Sequence, residues 1–333
     1  MSEILKAIDL CKEYRLPHGK TLRALDTVSL TVRSGEVLGL VGESGCGKST
    51  LGRCLLRLTD LTSGTILFEE QDISRVNDRA LRPVRRQMQM VFQDSYAALN
   101  PKRRIGDLLA EPLRVHPDEN GQRRNRHTIE ARLDELMDLV SLPRSALARY
   151  PHEFSGGQRQ RINIARALAL SPRLIIADEP VSALDVSVQA QIVNLFTDLK
   201  EELGLTYIFI AHDLAVVRQI STRVAVMYLG AIVELGDTDT VMQYPAHPYT
   251  AALISAVPEP IIGAEDRRIL LHGDVPSPIS PPSGCRFHTR CPKAENRCSQ
   301  EAPALQPVGD KREVACHFPD IREAGNSWSG VDM

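Results

Sequence analysis

A glycine-rich loop at residues 42–50 constrains this chain more than any other segment. It reads GESGCGKST and matches the pattern G-x-x-x-x-G-K-[ST] in full, with an apolar run at 37–41 before it and a helical pattern after it. Glycines let backbone N–H groups turn inward to phosphate oxygens, and the following helix presents its positive N-terminal end to the same anions. Because motif and context agree, they predict a nucleotide phosphate site rather than an ordinary turn, formed by Gly42, Glu43, Ser44, Gly45, Cys46, Gly47, Lys48, Ser49 and Thr50.

Polar side chains in and beyond this loop have predicted roles toward the nucleotide. Lys48 is expected to reach the β- and γ-phosphates, and the Ser49 hydroxyl is expected to ligate Mg²⁺. Asp178 and Glu179 follow the apolar run 174–177, at the edge where open α/β sheets bind their ligands. We expect Asp178 to hold Mg²⁺ through water and Glu179 to accept a proton from the attacking water. A solvated acidic turn is the alternative for this pair.

Apolar runs alternate with helical patterns along the chain. The runs at 174–177 and 207–211 are predicted to be buried strands, and residues 188–203 between them have helical spacing. This order predicts an α/β fold with a mainly parallel sheet covered on both sides. The alternation at 28–32 predicts a half-buried antiparallel strand. Residues from about 104 to 170 carry few strand signals, so a helical insertion is expected there.

The composition changes near Pro245. From there to Pro319 the chain is rich in proline and holds four of its seven cysteines, and segments such as 276–283 cannot continue a helix or a central strand. We therefore predict a main domain over 4–244, an appended region over 245–320 and a loose tail over 321–333.

Charge and hydropathy exclude several classes of protein. Forty Lys+Arg against forty-two Asp+Glu give a net charge of −2, so no nucleic-acid partner is expected. The basic residues between 102 and 126 are better explained by a solvated helical face or by a surface that meets membrane proteins. The longest apolar run, 224–233, is shorter than the roughly 20 residues that a bilayer requires, and the N-terminus lacks a signal-peptide pattern. We expect a cytosolic chain that meets the membrane only through partners.

A second glycine pair identifies a family. Residues 154–158 read FSGGQ and resemble the LSGGQ signature of the ATP-binding cassette (ABC) family, the ATPases of ABC transporters. The resemblance implies the P-loop NTPase fold of that family, with a mainly parallel sheet core, an antiparallel β subdomain and a helical subdomain. It also implies that Ser155, Gly156, Gly157 and Gln158 contact an ATP molecule held by the opposite subunit of a dimer.

Other family elements fall at matching places. Gln93 resembles the glutamine that senses Mg²⁺ and the transmembrane partner, and Asp185 lies in a segment that resembles the D-loop. His212 matches the histidine that touches the γ-phosphate. Tyr14 is placed like the aromatic residue that stacks on adenine, although a tyrosine in such a strand is also a common packing residue. The resemblance therefore implies a catalytic set of Glu179, His212 and Gln93, with Gln93 also contributing to the Mg²⁺ site.

Within the family, the chain is most similar to the second ATPase of dipeptide and oligopeptide importers. The segments that carry this likeness are 42–50, 91–94, 99–101, 150–155 and 247–250, together with the proline- and cysteine-rich end. The resemblance implies a peripheral subunit on the cytoplasmic face of the plasma membrane. Its partners would be a homologous ATPase in a heterodimer, two transmembrane permease subunits and, indirectly, an extracytoplasmic peptide-binding protein.

Three other functions remain open at this point. Related importers of nickel, glutathione or sugars share much of the pattern. A soluble ABC ATPase that acts on ribosomes or DNA is a further alternative, but such proteins commonly carry two cassettes or a long coiled coil, and this chain has one phosphate loop and no sustained heptads. An inactive cassette is disfavoured because the motif residues are all present.

Four cysteines of the appended region predict a metal site. Cys285, Cys291, Cys298 and Cys316 have the spacing C-x5-C-x6-C-x17-C, and clustered cysteines in a cytosolic chain suggest thiolate ligation to zinc or to an iron–sulfur cluster. His288 or His317 could replace one cysteine in a zinc site. The peptide-importer resemblance favours [4Fe–4S], with zinc and a metal-free region as alternatives. We expect a structural role that leaves the phosphate-loop chemistry intact.

Overall fold

The computed structural model describes residues 2–118, 121–257, 269–271, 273–309 and 311–321. Most of the predicted tail, residues 322–333, therefore lies outside the described residues, as does the part of the predicted appended region at 258–268. In the part of the chain that is described, no helix combines the length and the apolar character that crossing a membrane requires.

Twelve strands are present in the described residues. In chain order they are β1 (Glu3–Arg15), β2 (Thr21–Arg33), β3 (Val37–Val41), β4 (Ser63–Phe68), β5 (Gln71–Asp72), β6 (Met88–Val91), β7 (Leu174–Asp178), β8 (Thr206–Ile210), β9 (Arg223–Tyr228), β10 (Ala231–Asp237), β11 (Gln306–Pro307) and β12 (Arg312–Val314).

Ten α-helices lie in the same described ranges, together with short 3₁₀ turns at Pro17–Gly19, Arg144–Ala148 and Pro151–Glu153. The helices are α1 (Lys48–Leu55), α2 (Asp78–Gln87), α3 (Ile105–Val115), α4 (Arg126–Leu139), α5 (Gly156–Leu168), α6 (Val186–Leu203), α7 (Leu214–Ile220), α8 (Thr238–Gln243), α9 (Pro248–Ser255) and α10 (Asn296–Gln300).

The chain divides into two compact units. The middle unit comprises Met1–Ser2, Arg33–Glu36 and Arg75–Ile210, and the outer unit comprises Glu3–Val32, Val37–Ser74 and Ala211–Met333. The outer unit is thus assembled from the two ends of the chain, a partition that differs from the predicted sequential domains.

Parallel strands and helices form the middle unit. Strand β7 lies between β6 and β8 and is parallel to both, and every residue of β7 and β8 is buried, as the apolar runs predict for a strand covered on both faces. Between β6 and β7 the described residues form helices α3, α4 and α5 and no strand. These helices lie within the range 104–170, where the sequence carries few strand signals.

The strands of the outer unit belong to two sheets. Strands β2, β1, β4 and β5 are neighbours in one sheet, in which β1–β4 and β4–β5 are antiparallel. In the other, β3 is parallel to β9, and the remaining ladders of β10, β11 and β12 are antiparallel. The predicted alternation of β2 is seen in its burial pattern. Helix α1 directly follows the glycine-rich loop, as the helical pattern there predicts.

A buried carboxylate joins strand β10 to helix α9. Glu234 of β10 is 0% exposed, and its two carboxylate oxygens accept hydrogen bonds from the backbone N–H groups of Ala246 and His247, each at 2.9 Å. His247 is the N-cap of α9, and its Nδ1 accepts from the Tyr249 N–H at 3.0 Å. Burial lowers the pKa of His247 to about 3, so its ring is neutral and able to accept at neutral pH.

Replacing Glu234 with alanine should destabilise the outer unit. The change removes the acceptors of two buried backbone N–H groups, and each buried donor left unsatisfied costs about 1–3 kcal/mol. Thermal or urea unfolding of Glu234→Ala should show a loss of about 3 kcal/mol, whereas Glu201→Ala, on an exposed position of α6, should change stability by about 0.5 kcal/mol or less. Equal stability of the two variants would contradict this role for Glu234.

Candidate functional site

The phosphate loop begins where the buried strand β3 ends and closes at the start of helix α1. Its glycines are required by close neighbours: a Cβ atom at Gly42 would lie 2.2 Å from the Met227 carbonyl oxygen, and one at Gly47 would lie 2.4 Å from the Ala24 carbonyl oxygen. Gly47 also has φ of 109°, a conformation that other residues rarely adopt. The loop backbone therefore passes against two other strands of the outer unit, and its N–H groups precede the positive end of α1.

Lys48 lies inside this loop. Its side chain is buried, with 4% of the residue exposed, and its ammonium group donates hydrogen bonds to the carbonyl oxygens of Gly42 at 2.7 Å and Glu43 at 3.0 Å. Cys46 is also buried, and burial raises the pKa of its thiol. The Cys46 carbonyl oxygen accepts from the Gly230 N–H at 2.8 Å. Ser44 and Gly45 form the exposed tip of the loop.

His212 and Tyr14 belong to the same outer unit as the loop. Ala211, the residue before His212, donates its N–H to the carbonyl oxygen of Leu40 at 3.2 Å. Leu40 lies near the end of β3, the strand that leads into the phosphate loop, and His212 itself is exposed. Asp213 then caps helix α7 by accepting from the Ala215 N–H at 2.8 Å. Tyr14 lies in β1 and is 37% exposed, with the Lys12 ammonium 4.8 Å from its ring centroid.

The middle unit joins two of the predicted catalytic residues directly. The Gln93 side-chain amide donates to a carboxylate oxygen of Glu179 at 2.8 Å, across 86 residues of sequence. Asp178 is the last residue of β7 and is buried. Glu179 has φ of 45°, the left-handed region that few non-glycine residues adopt, and its N–H donates to the Ile210 carbonyl oxygen at 3.0 Å. The two adjacent carboxylates therefore differ in setting: Asp178 is buried at the strand end, and Glu179 is bonded to Gln93.

The signature loop of the middle unit is a capped helix start. The Ser155 hydroxyl accepts from the Gln158 N–H at 3.3 Å, and the Gln158 side chain accepts from the Ser155 N–H at 3.1 Å, a reciprocal capping box for helix α5. A Cβ at Gly157 would lie only 2.5 Å from a methyl group of Val188 in α6, which explains glycine there. Gly156 begins α5, so the loop 155–158 forms the N-terminal end of that helix.

Asp185 caps the neighbouring helix α6. Its carboxylate accepts from the Ser187 hydroxyl at 2.7 Å and from the Val188 N–H at 3.0 Å, and these two hydrogen bonds lower its pKa. Val186 beside it is 82% exposed, a large apolar side chain on the surface of the middle unit. The start of α6 is therefore fixed by local hydrogen bonds, while the apolar side chain of Val186 is exposed.

The predicted site residues thus fall into two sets. The outer unit holds Tyr14, the loop 42–50 and His212, and the middle unit holds Gln93, the loop 155–158, Asp178, Glu179 and Asp185. Of the predicted Mg²⁺ ligands, Ser49 belongs to the first set, whereas Gln93 and Asp178 belong to the second.

The four cysteines of the appended region line one cavity of about 10 Å³. The Cys285 N–H donates to the Cys298 carbonyl oxygen at 2.7 Å, which holds these two positions together. Burial is the main cause that raises the pKa of Cys291 and Cys316 to about 11, and the neighbouring thiols act in the same direction. The predicted convergence of the four side chains is therefore observed.

The metal assignment itself is not shown. No group of three or more histidine, cysteine, aspartate or glutamate side chains in the described ranges is arranged to hold a metal ion. This finding supports neither a zinc site nor an iron–sulfur cluster, although the four cysteines, His288 and His317 all line the same cavity.

Sequence reasoning missed residues that tie the appended region to the phosphate loop. Arg290, the neighbour of Cys291, forms an ion pair with Glu43 at 2.9 Å, and the Tyr249 hydroxyl accepts from the Glu43 N–H at 2.9 Å. Partners more than 200 positions apart leave no local pattern, so no signal in a single sequence could have found them.

Two protein-family models match the chain. The model described as ABC transporter matches residues 25–182, and the model described as oligopeptide/dipeptide transporter, C-terminal region, matches residues 233–298. The first match spans the phosphate loop and the signature loop, and the second includes three of the four cysteines.

Curated relatives match most of the chain. A probable peptide ABC transporter ATP-binding protein of Sinorhizobium fredii is 53% identical over 320 residues, which cover 94% of this chain and 89% of the relative. The oligopeptide transport ATP-binding protein AppF of Bacillus subtilis is 52% identical over 300 residues, covering 89% and 90%.

Among solved structures, a dimeric ATP-binding cassette in a post-hydrolysis state with ADP and Pi is similar to this chain with a TM-score of 0.63 and 29% identity. The likeness covers 70% of this chain and 98% of that structure. It confirms the predicted cassette fold.

Proposed function

The chain belongs to the ABC transporter family, and we propose that it is the ATP-hydrolysing, energy-coupling subunit of an importer of dipeptides or oligopeptides. The observation that carries the peptide assignment is the match of residues 233–298 to the C-terminal region of oligopeptide and dipeptide transporters. This region is not a detached appendage, because Arg290 and Tyr249 contact the phosphate loop.

Nucleotide binding is assigned first to the outer unit. The N–H groups of residues 42–50 and the N-terminal end of α1 receive the phosphates, where Lys48 supplies a positive charge. The Ser49 hydroxyl would hold Mg²⁺, and Tyr14 would stack on adenine. The buried position of Lys48 inside the loop and the exposure of Tyr14 support these roles.

Hydrolysis is assigned to the acidic turn after β7. Glu179 would accept the proton of the attacking water, Asp178 would hold Mg²⁺ through water, and His212 would contact the γ-phosphate. The hydrogen bond from Gln93 to Glu179 supports a role for Gln93 in positioning this carboxylate as well as in sensing Mg²⁺.

Coupling to transport requires a second ATPase subunit. ABC cassettes form dimers and act with membrane permease subunits. We propose a heterodimer with a homologous ATPase in which residues 155–158 contact ATP bound to the partner's phosphate loop, with Asp185 near the junction. Two permease subunits on the cytoplasmic face of the plasma membrane would receive the motion, and an extracytoplasmic binding protein would deliver the peptide. Residues 4–244 would act as the cassette and 245–320 as the peptide-transporter extension.

A [4Fe–4S] cluster is proposed for the four-cysteine cavity. Cys285, Cys291, Cys298 and Cys316 would be its ligands, and their convergence on one cavity supports this. When bound, such a cluster would supply a covalent cross-link among segments that have little apolar core of their own. The phosphoryl chemistry of the cassette requires no electron, so the proposed role is structural.

Replacing Glu179 with glutamine tests the proposed reaction. The amide has a similar shape but cannot accept a proton, so ATP hydrolysis and peptide uptake by the assembled complex should fall by about 10²–10⁴, the usual contribution of a general base. ATP binding should persist. Glu202→Gln, on an exposed position of α6, is the matched control and should hydrolyse normally. Near-normal turnover of Glu179→Gln would contradict the assignment.

Replacing Ser155 with arginine tests the shared ATP site. In complexes with a wild-type partner, labelling of the partner's phosphate loop by a photoreactive ATP analogue should fall, whereas labelling of this chain should persist. Ser145→Arg, at an exposed position of the same unit, controls for added charge. Ser155→Ala removes only the helix cap, which should lower the free energy of unfolding by about 1 kcal/mol. It therefore separates the effect of losing the cap from the effect of the arginine side chain. Loss of labelling on this chain alone would contradict the shared site.

Metal analysis tests the four-cysteine proposal. Full-length protein purified anaerobically should be brown and contain about four iron atoms per chain, as the stoichiometry of the cluster requires. Cys291→Ser should lower the iron content and the stability, whereas Cys11→Ser, a free cysteine of β1, should leave the iron unchanged. One zinc per chain, or no metal in anaerobic preparations, would overturn the assignment.

A further inference from the structure

An arginine of the cysteine-rich segment reaches the second residue of the phosphate loop. The Arg290 guanidinium donates to both carboxylate oxygens of Glu43, at 2.9 and 3.2 Å. The Arg290 side chain is 8% exposed and the Glu43 side chain 28%, so this is a largely buried bidentate pair rather than a surface contact. Such a pair is stronger and more specific in its geometry than an exposed salt bridge.

Glu43 poses an electrostatic problem for the loop. It lies between Gly42 and Ser44, in a loop whose backbone N–H groups bind a highly anionic ligand. An ionised carboxylate at this position would repel phosphate oxygens, and in a partly buried setting the repulsion is only weakly screened. Arg290 supplies the opposite charge directly at that carboxylate, and the Tyr228 hydroxyl accepts from the same guanidinium at 3.4 Å.

A second contact from the same region fixes the loop backbone. The Tyr249 hydroxyl accepts the Glu43 N–H at 2.9 Å, while the Glu43 carbonyl oxygen accepts from the Lys48 ammonium at 3.0 Å. The N–H, the carbonyl oxygen and the carboxylate of Glu43 therefore all make hydrogen bonds. The N–H and the carboxylate are bound by Tyr249 and Arg290, which both follow residue 245. Tyr249 is fully buried, so this acceptor is anchored in the core of the outer unit.

An aromatic cluster connects these contacts to the cysteine cavity. Phe287 packs against Tyr228 with ring centroids 5.3 Å apart and against Tyr249 with centroids 5.4 Å apart. The same Phe287 lines the cavity formed by the four cysteines, and Arg290 directly precedes Cys291. The segment that orders the cysteines therefore also orders the two side chains that hold Glu43.

We propose that Arg290 is a positioning residue for ATP binding: held by the cysteine-rich segment, it neutralises and orients Glu43 so that the phosphate loop accepts the anionic phosphates. This inference rests on the proposed function, because it assigns a role toward the ATP of that same loop. It gives the C-terminal region a function in nucleotide binding, and it makes the affinity for ATP depend on the order of that region.

Nucleotide affinity of the full-length chain provides the test. Arg290→Gln should weaken equilibrium binding of Mg²⁺-ATP by about tenfold or more, the size expected when one side of a largely buried charge pair is removed. The loss should be smaller for ADP and absent for adenosine, because it arises from repulsion of phosphate charge. A residue with a merely structural role would weaken all three ligands alike.

A double variant isolates the charge effect. Glu43→Gln combined with Arg290→Gln removes the unpaired carboxylate and should recover most of the ATP affinity that Arg290→Gln loses. Arg290→Lys keeps the charge without the bidentate geometry and should lie between wild type and Arg290→Gln. Arg297→Gln is the matched control, since Arg297 lies in the same segment but pairs with Glu301 in solvent, and it should bind ATP as wild type does.

The outcomes separate this inference from the proposed function. If wild type binds ATP and Arg290→Gln binds it equally well, or if the double variant is no better than Arg290→Gln, the role of Arg290 is wrong while the ATPase assignment stands. If wild type itself binds no ATP, both fail. Melting temperatures of all variants show whether they are folded, and a variant that melts early but keeps the graded response to phosphate charge still supports the proposal.

Discussion

The fixed backbone of the phosphate loop is the constraint on which the rest of the outer unit depends. Backbone N–H groups can face an anion only if the chain is held in a conformation that glycine permits, and Gly42 and Gly47 allow that conformation by leaving no side chain where Met227 and Ala24 approach. Contacts from Gly230 and Tyr249 hold the loop from outside. The loop is therefore held by strands and by the appended region, which come from both ends of the chain.

Apart from His212, the residues assigned to hydrolysis belong to the middle unit. Gln93, Asp178 and Glu179 extend from the parallel strands of the middle unit, and the signature loop is set by its capping box and by the close packing of Gly157 on Val188.

Much of this arrangement could be predicted because its signals are local. The strand–loop–helix at 37–55 follows from an apolar run, spaced glycines and a helical pattern, and the helical insertion follows from the lack of strand signals between 104 and 170. The convergence of four cysteines was expected from their clustering. The bond from Gln93 to Glu179 and the pair of Arg290 with Glu43 were not predicted as contacts, because they join residues far apart in sequence whose types are ordinary on any surface. The left-handed backbone of Glu179 likewise has no signature in the residues around it.

The central claim is that this chain provides ATP hydrolysis to a peptide importer, and purification of the native complex from membranes tests it most directly. The account predicts that this chain copurifies with one homologous ATPase and two permease subunits, and that the complex in vesicles takes up a peptide only when ATP is hydrolysed. Recovery of the chain with ribosomes or DNA, or in a complex that transports nickel or a sugar and no peptide, would contradict it.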